Sequence, residues 1–286
     1  MTKVSIITPS LNQGRFIGET LMSVKGQDYP GIEHIVIDGG STDDTIDILR
    51  GYEGGYNLTW VSEPDRGQAD AINKGLRIAR GEVLAYLDSD DLYLPYTVRT
   101  VVDFLDAHKD VDCVYGDIVH IDESGAKLNT VKSIPFHFGI LLYGGSLIAE
   151  PTFFFRRRVL EEAGYLDASL SYQMDYEFFL RAASHKMKFA NIPRVLAHFR
   201  FHPDSKTMAA REAFFRDDAM IKNRYREAAL PLGERADRFW LGALRKAYRL
   251  KAFMIRAATR GQFMPFATRI AKAGIGGGRM WKGRLS

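Results

Sequence analysis

Val83-Leu84-Ala85-Tyr86-Leu87 is an apolar run that ends in Asp88-Ser89-Asp90-Asp91, three carboxylates within four residues. A buried strand cannot hold unpaired negative charge in its interior, so the acids belong at its mouth, facing a cation or a cleft. Two uses are open to them. Crowded carboxylates are hard oxygen ligands of the kind that bind Mg2+ or Mn2+, above all where a diphosphate supplies further oxygens. Asp and Ser also favour turns and caps, so the triplet can equally be a solvated turn before a helix that begins near Pro95. The surrounding sequence has to decide.

Upstream of the triplet, strand-like and helix-like segments alternate at short spacing. Val4 to Thr8 reads as a buried strand, and Gly14 to Gln27 as a helix with Phe16, Ile17, Thr20, Leu21 and Val24 on one face. Ile32 to Ile37 is a second strand, after which Ser41 or Thr42 can cap a helix running to about Tyr52. Leu58 to Ser62 is a third strand, Gln68 to Ala79 a third helix, and Val83 to Leu87 the fourth strand. Such alternation implies an α/β fold with parallel strands and right-handed crossovers, in which ligands bind beyond the carboxyl ends of the strands. Those ends run into Thr8-Pro9-Ser10-Leu11-Asn12, Asp38, Glu63-Pro64-Asp65-Arg66-Gly67 and the acid triplet. Polar and acidic residues therefore meet on one rim of the sheet.

Together with Ile37-Asp38-Gly39-Gly40-Ser41-Thr42-Asp43-Asp44-Thr45 and Asp65-Arg66-Gly67-Gln68-Ala69-Asp70-Ala71-Ile72-Asn73-Lys74-Gly75, these segments resemble glycosyltransferase family 2 over about residues 3 to 205. The resemblance is to inverting nucleotide-sugar enzymes of the bacterial surface-polysaccharide type. It implies a GT-A fold, Rossmann-like, with a mostly parallel central sheet flanked by helices. It also implies that Thr8, Pro9 and Asp38 line the nucleobase and ribose pocket, with Asp65 and Arg66 close to the base or first phosphate. Asp88 would reach the ribose or the metal, and Asp90 would be the direct ligand of Mn2+ or Mg2+. Gly39-Gly40 has neither the spacing nor the lysine of a P-loop.

Farther along, a helix is expected from Pro95 to about His108 and a strand from Cys113 to Ile121, with Asp122-Glu123-Ser124-Gly125 as its turn. The aromatic segment Ile134 to Ile148 either packs on the sheet or lines an acceptor groove, and Glu150 to Arg157 leads into a helix through Ala163. In Tyr172-Gln173-Met174-Asp175-Tyr176-Glu177-Phe178-Phe179-Leu180-Arg181, helical spacing puts Asp175 on the face of Phe178, Phe179 and Ala182. That carboxylate either answers the helix dipole or serves chemistry. The family resemblance implies the second, with Asp175 as catalytic base and Glu177 as the next candidate, although Met174 stands where many relatives carry Glu. After a strand near Val195, His202-Pro203-Asp204-Ser205 resembles the family's His-x-x-Ser loop. This implies contact of His202 with the diphosphate or metal, and Arg200 is a further phosphate-partner candidate.

Composition sets the outer bounds. The 286 residues suffice for one large α/β domain with an appendage. A lone cysteine, Cys113, rules out an intrachain disulfide, and the apolar start from Val4 to Thr8 is too short for a signal peptide. The uncharged stretch Phe136 to Ala149 is too short for a membrane span of about 18 residues. A cytoplasmic protein is expected. The net charge of +4 hides a split: Arg238 to Ser286 holds twelve Lys/Arg and no Asp/Glu, which leaves residues 1–237 at −8.

Residues 1–206 accordingly read as the nucleotide-sugar-binding and catalytic domain and 207–286 as a helical basic extension. There Trp240, Leu241, Leu244, Tyr248, Ala252 and Ile255 share one face, beside an arc of Arg245, Lys246, Arg249, Arg256 and Arg260. Such a helix suits an anionic membrane surface, at the inner face of the plasma membrane, or it packs on the catalytic domain. Nucleic acid is not an expected partner, because the tail lacks a binding module and the main domain is acidic. The expected partners are a nucleotide-sugar donor, UDP-linked in the first instance, and a saccharide or lipid-linked saccharide acceptor. Two rivals stay open: a sugar nucleotidyltransferase, and a nucleotide-sugar-binding protein without catalysis.

Overall fold

A computed structural model describes residues 1–144, 148–170, 172–203, 205 and 211–226, together with 246, 250 and 254. Val4–Ser10 (β1) is buried along its whole length, as a strand covered on both faces must be. Around it the chain winds through α1 (Ile17–Lys25), β2 (Ile32–Asp38), α2 (Thr45–Gly51), β3 (Leu58–Ser62), α3 (Gln68–Ile78) and β4 (Val83–Tyr86). These strands lie in the order β3-β2-β1-β4 and are all parallel. Their carboxyl ends therefore share one edge, as the alternation predicts. One glycine sets the closeness of the layers: a Cβ on Gly75 would stand 2.4 Å from Ile7 Cγ2, so α3 can lie on β1 only without one.

Beyond β4 the chain continues through β5 (Leu92–Tyr93), α4 (Thr97–Ala107), β6 (Cys113–Ile121), β7 (Lys127–Val131) and α5 (Phe138–Gly144). A 3-10 turn (Glu150–Thr152) then leads to β8 (Phe154–Arg156), α6 (Arg157–Ala163), α7 (Met174–Ser184), β9 (Phe189–Arg200) and α8 (Arg211–Tyr225). This half of the sheet is mixed. β8 runs antiparallel to both β4 and β6, β9 is parallel to β6, β5 is antiparallel to β9, and β7 forms a hairpin with β6. Sequence periodicity misses β5 and β8 because strands of two and three residues are too short to show alternation.

Local chemistry moves several expected boundaries. α2 begins at Thr45 with Asp44 as its N-cap residue, so the cap is neither Ser41 nor Thr42, and the Thr45 N–H donates to Asp43 Oδ1 at 3.0 Å. The strand expected near Val195 extends to Arg200, and His198 pairs with Leu92 within it. Ile134, Ile140, Leu141, Leu142, Tyr143 and Ile148 are buried, so that segment belongs to the core.

Alternate residues of β4 feed the two faces. Leu84 and Tyr86 pack with Phe153, Phe155, Phe178 and Phe179, whereas Val83 and Ala85 pack with Val98, Val101, Phe154 and Leu196. Ile221 and Tyr225 of α8 join the first of these clusters. Among the described residues no helix is long and apolar enough to cross a membrane. Most of the basic face expected from Arg245 to Arg260 lies outside the described residues.

Candidate active site

Loop contacts lace the four parallel strand ends together. Gly39 N–H donates to the Ser10 carbonyl at 2.8 Å, Glu63 N–H to the Asp38 carbonyl at 3.0 Å and Leu87 N–H to the Ile7 carbonyl at 2.9 Å. Asp38 is fully buried: Oδ2 accepts from Gly40 N (3.0 Å), Ser41 N (2.9 Å) and Ser62 Oγ (2.7 Å), while Oδ1 accepts from Ser41 Oγ. Its carboxylate thus shapes the glycine loop from within. Asp65 stands against that loop, because a Cβ on Gly39 would lie 2.7 Å from Asp65 Oδ2, and its Oδ1 accepts from Gly67 N at 2.7 Å. Arg66 is largely exposed and reaches Asp70 at 3.2 Å.

Buried Thr8 turns its hydroxyl inward, 2.9 Å from His34 Nε2, and Pro9 is buried beside it. The other ring nitrogen of His34 lies 2.7 Å from the Tyr56 hydroxyl. Complete burial lowers the His34 pKa to about 3, so this imidazole is neutral.

At the mouth of β4 the three acids separate by environment. Asp88 Oδ1 accepts from Gln68 Nε2 at 2.7 Å, which ties the first residue of α3 to the acid loop. Asp90 is partly open, and its Oδ2 lies 2.8 Å from Nε2 of buried His202. Asp91 is almost wholly buried; Oδ1 accepts from Arg200 N at 2.8 Å, and its carbonyl accepts from Thr20 Oγ1 at 2.9 Å. Burial first, then the charges of Asp90 and Asp88, push its carboxyl well above the usual carboxylate range.

Arg200 is also buried and joins three segments. Its guanidinium donates to the Asp90 carbonyl (Nε, 2.9 Å), the Glu123 carbonyl (Nη1, 3.1 Å) and Glu19 Oε2 (Nη2, 2.7 Å), and it lies 5.0 Å from the Phe16 ring centroid. That network corrects the expectation of a phosphate partner: Arg200 holds the acid loop from behind, with its donors engaged by the protein.

Asp175 and Glu177 part in the same way. Glu177 is buried beneath Arg181 (2.9 Å), Arg224 (3.3 Å) and the Tyr225 hydroxyl (2.6 Å), which makes it a structural anchor between α7 and α8 rather than a second base. Asp175 is half-buried in the first turn of α7, two residues after the N-cap Gln173, whose φ is 56°. The start of this helix is held by α8, since Tyr172 N–H donates to Asp217 Oδ2 and Gln173 Nε2 to the Phe214 carbonyl, each at 3.0 Å.

One further acid enters the site unannounced by any motif. Glu150, on the 3-10 turn, has Asp88, Asp91, Asp175 and Asp90 as charged neighbours; burial first and then these charges push its carboxyl well above the usual range. The available signal was isolation, for Glu150 is the one Asp, Glu, Lys or Arg between Lys132 and Arg156. Thus Asp88, Asp91, Asp175 and Asp90 are the charged neighbours of Glu150, and His202 joins them through its contact with Asp90. The fold leaves the Thr8 hydroxyl and the Asp38 carboxylate inside the scaffold, and Arg66 toward solvent.

Among the described residues no three His, Cys, Asp or Glu side chains gather closely enough to hold a metal ion alone. The donor set nevertheless fits a shared ion. Asp90 and His202 already touch, Asp88 lies on the same loop, and oxygens of a bound diphosphate would supply further ligands.

The family model for glycosyl transferase family 2 matches residues 5–164. An uncharacterized glycosyltransferase of Mycobacterium tuberculosis is 37% identical over 182 residues, covering 63% of this chain and 68% of that protein. A PGL/p-HBAD biosynthesis glycosyltransferase of Mycobacterium bovis is 31% identical over 189 residues, covering 63% and 69%. Among solved structures, residues 1–349 of S. aureus TarS in complex with UDP-GlcNAc align with a TM-score of 0.66 at 21% identity, over 90% of this chain and 73% of that one. The mannosyltransferase PcManGT from Pyrobaculum calidifontis, in complex with GDP-Man and Mn2+, aligns with a TM-score of 0.59 at 20% identity, over 96% and 79%. A parallel half-sheet with an acid loop at its edge, extended by antiparallel strands, is the GT-A arrangement. The chain belongs to glycosyl transferase family 2 and is a glycosyltransferase.

Proposed function

We propose that this enzyme transfers a hexose from a nucleotide-sugar, UDP-linked in the first instance, to an acceptor hydroxyl with inversion at the anomeric carbon. The observation that carries the reading is the pairing of Asp90 with His202 on the rim that also bears Asp88 and Asp175. In this reading Asp90 and His202, with Asp88 beside them, would hold Mn2+ or Mg2+, and the rim from Pro9 to Arg66 would receive the nucleotide. A bound divalent ion offsets the charge that builds on the departing diphosphate. Asp175 takes the proton from the acceptor oxygen as that oxygen attacks the anomeric carbon opposite the diphosphate. Structural neighbours carrying UDP-GlcNAc, or GDP-Man with Mn2+, support donor and ion of this class.

The acceptor in this proposal is a lipid-linked or growing saccharide. The basic extension would then bring the enzyme to the anionic inner face of the plasma membrane. A relative named for PGL/p-HBAD biosynthesis is consistent with a glycoconjugate product.

A screen of nucleotide-sugars with Mn2+ or Mg2+ by thermal shift identifies the donor, since a ligand at 100 times its Kd adds about 2.7 kcal/mol. Turnover then tests the reaction. Metal-dependent release of nucleoside diphosphate that requires an acceptor is the expected result; pyrophosphate release would mean a nucleotidyltransferase, and binding without release a non-catalytic protein.

A further inference from the structure

Glu150 opens the 3-10 turn that packs against β4, β6 and β9, and its Oε1 is buried without a hydrogen-bond partner among the described residues. The Tyr86 hydroxyl, at the end of β4, is fully buried and likewise lacks a partner. Its charged neighbours are Glu150, Asp175 and Asp88, in that order. Tyr93, buried with its hydroxyl also unpartnered, has Glu150 as its first charged neighbour. A buried polar group without a hydrogen bond is costly and rare in a folded protein, and the chain gathers several of them near Glu150.

That place has a defined relation to the reaction. Asp88 and Asp90 mark where the diphosphate is held and Asp175 where the acceptor oxygen loses its proton, so the transferred sugar ring must lie between them. Glu150 has all three as neighbours. We infer that Glu150 is a sugar-contacting carboxyl of the donor site, hydrogen-bonding a ring hydroxyl of the transferred hexose, with the Tyr86 hydroxyl beneath it completing a polar floor. This inference rests on the function proposed above. It makes the hydroxyl pattern of the sugar, rather than the nucleotide, the feature that Glu150 reads.

The test compares nucleotide-sugar with nucleoside diphosphate. Calorimetric titration with Mn2+ present would use UDP, UDP-GlcNAc, UDP-glucose, GDP and GDP-mannose against the parent enzyme, E150A and E150Q. For the nucleotide-sugar that the parent binds, E150A should weaken affinity by about tenfold or more, as loss of a hydrogen bond to a carboxyl implies. Affinity for the matching nucleoside diphosphate should stay within about twofold. E150Q, which keeps hydrogen-bonding capacity in the same volume, should fall between parent and E150A. Should E150A fail to fold, E150Q and Tyr86→Phe carry the comparison, each expected to show a loss of about threefold or more confined to the nucleotide-sugar. Equal weakening of both ligands with a lowered melting temperature would mean a structural role and overturn the inference, as would no change in either. Absence of metal-dependent binding of every nucleotide by the parent would instead overturn the proposed function, and the inference with it.

Discussion

Asp175 and Glu177 stand two residues apart on α7, and Glu177 is the one whose carboxylate ties α7 to α8. Buried Glu177 meets Arg181, Arg224 and the Tyr225 hydroxyl, so Glu177→Ala removes several hydrogen bonds at once and should cost about 1–3 kcal/mol in a denaturant titration. Asp175→Asn should instead lower turnover by about 10² or more while leaving donor affinity and unfolding midpoint near those of the parent. A stable Glu177→Ala, or an active Asp175→Asn, would reverse the assignment. The place of Asp175 in the first turn of a helix was legible from the helical spacing around it, while its part in catalysis is a proposal. The burial of Glu177 was not legible, because its cover comes from Arg224 and Tyr225, nearly fifty residues downstream. Glu150 was hidden for a related reason: an acid flanked by apolar residues carries no spacing signal, and only the fold brings Asp88 and Asp175 to it.

At the scale of elements, the loop from β4 to β5 is a two-sided device. Asp90 faces outward to His202, whereas Asp91 faces inward to the backbone of β9. Asp90→Ala should therefore abolish metal-dependent donor binding with little change in stability, as measured by titration of donor with and without Mn2+. Asp91→Ala leaves the buried Arg200 N–H without its acceptor and should cost about 1–3 kcal/mol of stability. If Asp91→Ala removes metal dependence and Asp90→Ala does not, the ion site lies one residue along. The parallel half of the sheet could be read from the chain because each strand there is separated by a helix with its own period. The mixed half could not, since β5 and β8 are defined by pairing with distant strands rather than by a pattern of their own.

For the whole molecule, buried His34 ties stability to pH. Its folded pKa of about 3 lies below the unfolded value of 6.5, so the unfolded chain binds the extra proton between these limits. The contribution of His34 is complete above about pH 6.5 and falls as pH drops toward 3. Urea midpoints between pH 7 and 5 should decline more steeply for the parent than for His34→Asn. The raised carboxyls of Asp91 and Glu150 act in the opposite sense in both proteins, so the difference isolates His34; parallel curves would exclude it. At the other end of the chain, truncation after Arg235 should reduce sedimentation with vesicles containing phosphatidylserine at low salt, since about 1 kcal/mol accompanies each basic residue near such a surface. Equal sedimentation of both proteins would leave the extension without that role.

Arg200 reaches the acid loop from β9, outside the 5–164 region shared with the family model. Recombination between relatives is therefore constrained in a way that a domain map does not show. A hybrid joining residues 1–164 of this chain to another enzyme's carboxyl-terminal half would retain Asp88 and Asp90. It would take its latch, its His202 equivalent and the proposed base at position 175 from the second parent. Donor range can be exchanged intact only if the graft extends through β9 to residue 205, so that the loop travels with the arginine that fastens it.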